Sequence, residues 1–200
     1  MMRRLRWIPT SSLVRALPFA LPFALAMVAC GEPMRGIEFR DAEPAAPLAF
    51  TAHDGTHFNL GSEKGKIVLV YFGYTHCPDV CPTTMSGWAR AKRALGDEAA
   101  DVRWVFVSMD PDRDTPELAQ QYAKQFDPSF IGLTGTAEEI DALERAWGIS
   151  AYPEGDIREG NYTVAHPAHS FLVDRDGKLR YLYEPGVSGE DLAEDLRKLL

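Results

Sequence analysis

Residues 66–74, KIVLVYFGY, carry no charge after Lys66 and are dominated by β-branched and aromatic side chains. Such a run reads as a strand. Successive side chains on a strand point to opposite faces, so an unbroken apolar run needs cover on both sides. The chain is therefore expected to build a central sheet between two layers, not a sheet with one face in water. VRWVFVSM (102–109) is a second run of the same kind and supplies a neighbouring strand.

Helical patterns alternate with these strands. Residues 79–95 hold good helix formers with Gly87 as the one glycine. DTPELAQQYAKQF (114–126) opens on a capping residue, places Pro116 at the first helical position and spaces Leu118, Tyr122 and Phe126 by four on one face. FIGL (130–133) reads as a short strand and residues 137–147 as a third helix. A strand YTVAH, a hairpin SFLVDRDGKLRYLY and a closing helix GEDLAEDLRKLL follow. Ahead of them all, LAFTAHDGTHFNL (48–60) alternates around Asp54-Gly55, a dipeptide that favours a type I′ hairpin turn. The order resembles the thioredoxin fold, an α/β architecture with a central mixed sheet flanked by helices. Here it carries an extra N-terminal β-hairpin and an inserted strand and helix.

The first thirty residues have a different character. Arginines at 3, 4 and 6 precede an apolar stretch from Ala16 to Cys30 that has no acid and is broken by Pro18 and Pro22. That is the form of an export signal, and it is too short and too proline-broken for a good membrane span. It ends LAMVAC, with small Ala29 directly before Cys30, which resembles a bacterial lipoprotein processing site. Residues 1–29 are thus expected to be a signal peptide, Cys30 the lipidated first residue, and residues 30–47, rich in Pro, Ala and charge, a flexible tether to the domain at 48–200. Loss of residues 1–29 removes four arginines and no acid, leaving 17 basic against 29 acidic residues, so the net charge moves from −8 to −12. No basic patch remains to displace counterions from a nucleic acid, and that class of partner is excluded. A periplasm-facing domain, anchored by lipid to a membrane of the bacterial cell envelope, is the expectation.

With Cys30 lipidated, Cys77 and Cys81 are the remaining thiols. In an oxidising compartment they are a disulfide, a redox couple or a ligand set. Both lie in YFGYTHCPDVCPTTM, straight after the first strand and at the expected start of a helix, where unpaired amides and the macrodipole favour a thiolate. Three residues separate them, where thiol oxidoreductases of this fold use two. A structural zinc site asks for four ligands, whereas two thiolates with one imidazole suit copper. His53 and His57 flank the hairpin turn and read as exposed. His76 adjoins Cys77 and points away from it. His166 and His169 remain as the candidate third ligand. Asp79 reads as a first-turn acid of the helix, Asp110 and Asp114 as organisers of their loop, Met85 and Met109 as core, and Tyr71, Phe72, Trp104 and Trp147 as core.

YFGYTHCPDVCPTTM, VFVSMDPDRDTPE and YTVAHPAHSFLVDRDGKL resemble, in this order, three signature segments of the Sco (SenC) family of copper chaperones. The resemblance implies a thioredoxin-like fold over residues 48–200 that binds one copper ion, Cu(I) or Cu(II), through both cysteines of a CxxxC motif and a distant histidine. Cys77 and Cys81 fall on the cysteine positions. His166, eight residues before Asp174, falls on the histidine position, and His169 at a variable one. Ala165 and Pro167 stand where the family commonly has Asp and Ser or Thr. The resemblance further implies delivery of copper to the binuclear copper site in subunit II of cytochrome c oxidase, or to another copper-accepting protein. The alternative it carries is thiol-disulfide reduction of that site's cysteines. A periplasmic copper donor or thiol reductant would act upstream.

Overall fold

The computed structural model describes residues 32–158 and 160–200. The signal peptide expected over residues 1–29 and the lipidation site Cys30 lie outside them. The described elements run β1 (Ile37–Glu38), β2 (Ala49–Thr51), β3 (His57–Asn59), β4 (Ile67–Gly73), α1 (Val80–Leu95), β5 (Val102–Ser108), α2 (Pro116–Phe126), β6 (Ile131–Leu133), α3 (Ala137–Trp147), β7 (Tyr152–Asp156), β8 (Asn161–Ala165), β9 (Ser170–Val173), β10 (Leu179–Tyr183) and α4 (Gly189–Arg197). Among the described residues no helix is long and apolar enough to cross a membrane.

A mixed sheet of order β1-β10-β9-β4-β5-β6 forms the centre. Strands β4, β5 and β6 are parallel, while β9 and β10 form an antiparallel hairpin that pairs with β4 through β9. Strand β4 is buried along its whole length, as its composition requires. Ile67, Leu69 and Tyr71 join Trp88, Trp104, Phe106 and Leu172 under α1, α2 and α4. Val68, Val70 and Phe72 join Val105, Val107, Leu133 and Phe171 under α3 and the β2–β3 hairpin. Each such side chain contributes about 1.5–3 kcal/mol when fully buried, so the two-sided strand anchors both halves of the core.

Helix ends follow the sequence. Thr115 caps α2 ahead of Pro116, Thr136 and Glu139 form a reciprocal capping box on α3, and Gly148 closes that helix in the left-handed conformation. Helix α2 presses its backbone onto β6. A Cβ added to Gly132 would lie 2.1 Å from the Ala119 carbonyl oxygen and 2.4 Å from its carbon. Backbone cannot yield as a flexible side chain does. Gly132→Ala is expected to cost about 3 kcal/mol, and thermal unfolding should show a midpoint lowered by roughly 10 °C. An unchanged midpoint would contradict this packing.

Three local expectations are corrected. The hairpin turn is not type I′, which needs positive φ at both central residues. Only Gly55 has it, at +82°, and Gly55 N donates to Ala52 O at 3.0 Å, giving a longer turn closed by a left-handed glycine. Leu118 is exposed, and α2 buries Ala119, Tyr122 and Ala123 instead. The stretch 30–47, expected as a flexible tether, is docked where it is described. β1 pairs with β10, Ala45 N donates to Gly177 O at 2.9 Å, and Leu179 N donates to Glu43 O at 3.0 Å. The amides of Arg35 and Gly36 donate to Asp195 Oδ2 at 2.6 and 3.2 Å. The Arg35 guanidinium meets Asp191, Glu194 and Asp195. Two needs are met at once: an edge strand that would present unpaired backbone is covered, and the fully buried Asp195 carboxylate gains donors.

Candidate metal centre

Strand β4 stops at Gly73 and the chain turns through a loop that carries Cys77 before α1 begins at Val80. Cys81 is the second residue of α1. Because β9 runs antiparallel to β4, the loop entering β9 lies beside the end at which β4 finishes. That loop starts at His166, and 85 residues of sequence separation close to a Cys81 Sγ to His166 Nε2 distance of 3.5 Å. The ligand atoms of Cys77, Cys81 and His166 all lie within 4.8 Å of one another. Both cysteines are free thiols, Cys81 buried and Cys77 half-buried.

Neighbouring groups hold these atoms in place. A Cβ on Gly73 would sit 2.9 Å from Cys81 Sγ and from the Phe106 ring, so only glycine lets the sulfur lie against the end of β4. Tyr71 donates its hydroxyl to Cys81 Sγ at 3.6 Å. The rings of Tyr71 and Tyr74 pack edge-on to His166 at 6.0 and 5.6 Å. His166 Nδ1 faces the Pro167 carbonyl at 3.1 Å. A proton shared there leaves the Nε2 lone pair turned to the sulfurs. The His166–Pro167 bond is trans, since the described residues contain no cis peptide.

The two thiols are electrostatically unlike. A hydrogen bond from the Cys81 thiol draws the Cys77 pKa well below the ordinary thiol range, against the opposing effect of burial. The amides of Asp79 and Cys81 add to the lowering, with Cys81 N 3.4 Å from Cys77 Sγ. Cys81 is pushed up, first by donating to Cys77 and then by burial. The hydrogen bond between them thus favours negative charge on Cys77, with Cys81 as its donor. Alkylation of the reduced protein is expected to label Cys77 first. Its rate should stay nearly flat from pH 8 to pH 6, where an ordinary thiol slows roughly tenfold per pH unit. Mass spectrometry of the labelled peptides checks this, and equal labelling of both cysteines would contradict it.

The remaining candidates lie elsewhere. His169 pairs with Glu184 at 3.2 Å. His53 lies 4.0 Å from Glu117, and His57 faces Thr51 on the hairpin. Asp79 is exposed at the N-cap of α1 and makes no side-chain cap. His76, Asp110 and Asp114 form a second close group, but its carboxylates already have partners. Asp114 accepts from Thr75 N, the Thr75 hydroxyl and the Ser108 hydroxyl. Asp110 accepts from Arg113 and Tyr162. These acids organise the loops around the cysteines, as the sequence leads one to expect. Sequence reasoning missed the contacts of Tyr71 and Tyr74 with the site. The one signal was that Tyr71 shares the α1-facing side of β4 with Ile67 and Leu69.

The family model SCO1/SenC matches residues 40–200. The chain belongs to the SCO1/SenC family. An SCO2-like protein of Rickettsia conorii is 37% identical over 145 residues, which is 72% of this chain and 71% of that one. The copper-bound structure of ScoI from Bradyrhizobium japonicum matches with a TM-score of 0.72 at 37% identity, covering 79% of this chain and 100% of that one. BsSco, described with a disulfide switch and as a member of the Sco family of cytochrome c oxidase assembly proteins, matches with a TM-score of 0.60 at 26% identity over 82% of this chain and 96% of its own. Membership of SCO1/SenC and the thioredoxin-like fold agree with the architecture above.

Proposed function

We propose that this chain is a copper metallochaperone that holds one copper ion between Cys77, Cys81 and His166 and passes it to the binuclear copper site in subunit II of cytochrome c oxidase. The convergence of two sulfurs and one imidazole nitrogen within 4.8 Å carries the reading. Cu(I) accepts three-coordination by soft thiolates, and an imidazole suits Cu(II), so the set can serve both oxidation states. Cys77 is half-buried where Cys81 is buried, so an incoming thiolate would approach the ion from the Cys77 side. Copper carried by a relative of 37% identity supports the choice of metal. The oxidase as recipient rests on the family's described role in its assembly. Cys30 is read as the lipid anchor, from its place after Ala29 at the end of the apolar leader, and the domain as facing the periplasm.

A second reading is favoured by the inequality of the two thiols. In thiol-disulfide reduction the Cys77 thiolate attacks a partner disulfide, forming a mixed disulfide and expelling one partner thiolate. Cys81 then loses its proton and attacks Cys77 Sγ. The second partner thiolate leaves, and a Cys77–Cys81 disulfide remains. The partner is reduced by two electrons and this chain oxidised by two.

Mixing the copper-loaded protein with a metal-free, reduced soluble domain of an oxidase subunit II separates the readings. Appearance of the binuclear copper spectrum in the acceptor, with Cys77 and Cys81 still reduced, supports the chaperone. If no copper moves, and the metal-free protein instead reduces the oxidised acceptor, the reductase reading replaces it.

A further inference from the structure

His166 follows directly on the β7–β8 hairpin, which among the described residues meets the core through Val164 and Tyr162. The hairpin forms a two-stranded sheet of its own, unpaired with the central sheet. Every residue of β7 is exposed, and in β8 only Val164 is buried. Arg113, in the loop between β5 and α2, reaches across to it. Its Nε donates to Asp110 Oδ2 at 2.5 Å, and its Nη1 donates to the Tyr162 carbonyl at 2.9 Å. Its guanidinium carbon sits 3.5 Å from the centre of the Tyr162 ring and 5.8 Å from that of Tyr74. The Tyr162 hydroxyl closes the ring of contacts by donating to Asp110 Oδ1 at 2.8 Å. Asp110 is 3% exposed and the Arg113 side chain 18%, so the ion pair is largely screened from water on its acidic side, where such contacts gain strength. Tyr74, the second ring near the guanidinium, is also a ring against which His166 packs.

We propose that Arg113 is a positioning residue for the third ligand: it staples β8 to the Asp110 loop and so keeps His166 in reach of Cys77 and Cys81. This inference rests on the reading of those three residues as copper ligands. Its consequence is selective, because Cu(I) is held by the two thiolates whereas Cu(II) needs the imidazole. Loosening the staple should therefore weaken Cu(II) and spare Cu(I).

The test compares Arg113→Gln, Tyr162→Phe and His166→Ala with the parent protein. Each is titrated with Cu(I) and with Cu(II), and amide hydrogen exchange is followed on the metal-free forms. Arg113→Gln is expected to lose about ten- to a hundredfold in Cu(II) affinity, the range seen when groups that orient a ligand are removed, with Cu(I) binding retained. Its β8 amides should exchange faster while those of β4 and β5 do not. Tyr162→Phe keeps the ring under the guanidinium and removes one hydrogen bond, so it should shift the same readouts by less. Cu(II) binding untouched in Arg113→Gln but weakened in His166→Ala would overturn the staple and leave the ligand set standing. Equal loss of both oxidation states, with faster exchange across β4 and β5, would make Arg113 merely structural. If His166→Ala also binds Cu(II) normally, the ligand reading and the staple fall together.

Discussion

Replacing Cys81 with alanine is expected to abolish tight copper binding in both oxidation states, by about a thousandfold or more, or roughly 4 kcal/mol. Removing one of two thiolates leaves a single sulfur and an imidazole, a pair that neither ion prefers over the ligands of a buffer. Cys81 is fully buried, so the change also touches the fold. It leaves a small cavity and deprives the Tyr71 hydroxyl of its acceptor. The two effects together cost about 1–3 kcal/mol. Cys77→Ser separates the two consequences. Cys77 is half-buried and lies in the loop before α1, so its loss should remove copper binding with little change in unfolding temperature. Competition titration beside thermal unfolding checks both variants. Copper retained by Cys77→Ser at parental affinity would mean that the metal is bound elsewhere.

His166→Ala should divide the two oxidation states. The imidazole Nε2, 3.5 Å from Cys81 Sγ, is the one nitrogen in the cluster. Its removal is expected to weaken Cu(II) by about a hundredfold, roughly 3 kcal/mol, and Cu(I) by no more than about threefold. The Cu(II)–thiolate absorption should move or vanish with it. His169→Ala should leave both affinities unchanged, because His169 is turned to Glu184. A protein in which His169→Ala shows the larger loss would require the loop before β9 to adopt another path.

Much of this centre is legible in the sequence, and the reason is local. KIVLVYFGY has to be a two-sided strand, and the cysteines sit at fixed distances after it, so the strand and the position of the two proposed sulfur ligands follow from short-range pattern. The proposed third ligand depends on which of two histidines three residues apart faces the sulfurs. Periodicity in a loop cannot decide that, and the family resemblance singled out His166. The groups around the ligands were less legible. Tyr71 was read as core, and it is core: its ring packs with Trp88 and Phe106 while its hydroxyl reaches Cys81. A strand pattern reports the face of a residue and says nothing of where its tip ends. The same limit hid the β7–β8 pairing and the docking of residues 35–47. Strand β7 is fully exposed and has no apolar alternation to report, and a two-residue strand such as β1 is shorter than any period. Long-range partners adjoin both: Arg113 meets the Tyr162 carbonyl of β8, and Asp195 meets the amides of Arg35 and Gly36 ahead of β1.

The central claim is a copper ion held by two sulfurs and one imidazole. X-ray absorption on the copper-loaded protein, beside His166→Ala loaded in the same way, tests it most directly. The account predicts two sulfur scatterers and one imidazole nitrogen around Cu(II) in the parent, and the imidazole scattering lost in the variant with both sulfurs kept. A shell made of nitrogen and oxygen alone, or an imidazole that persists in His166→Ala, would contradict it.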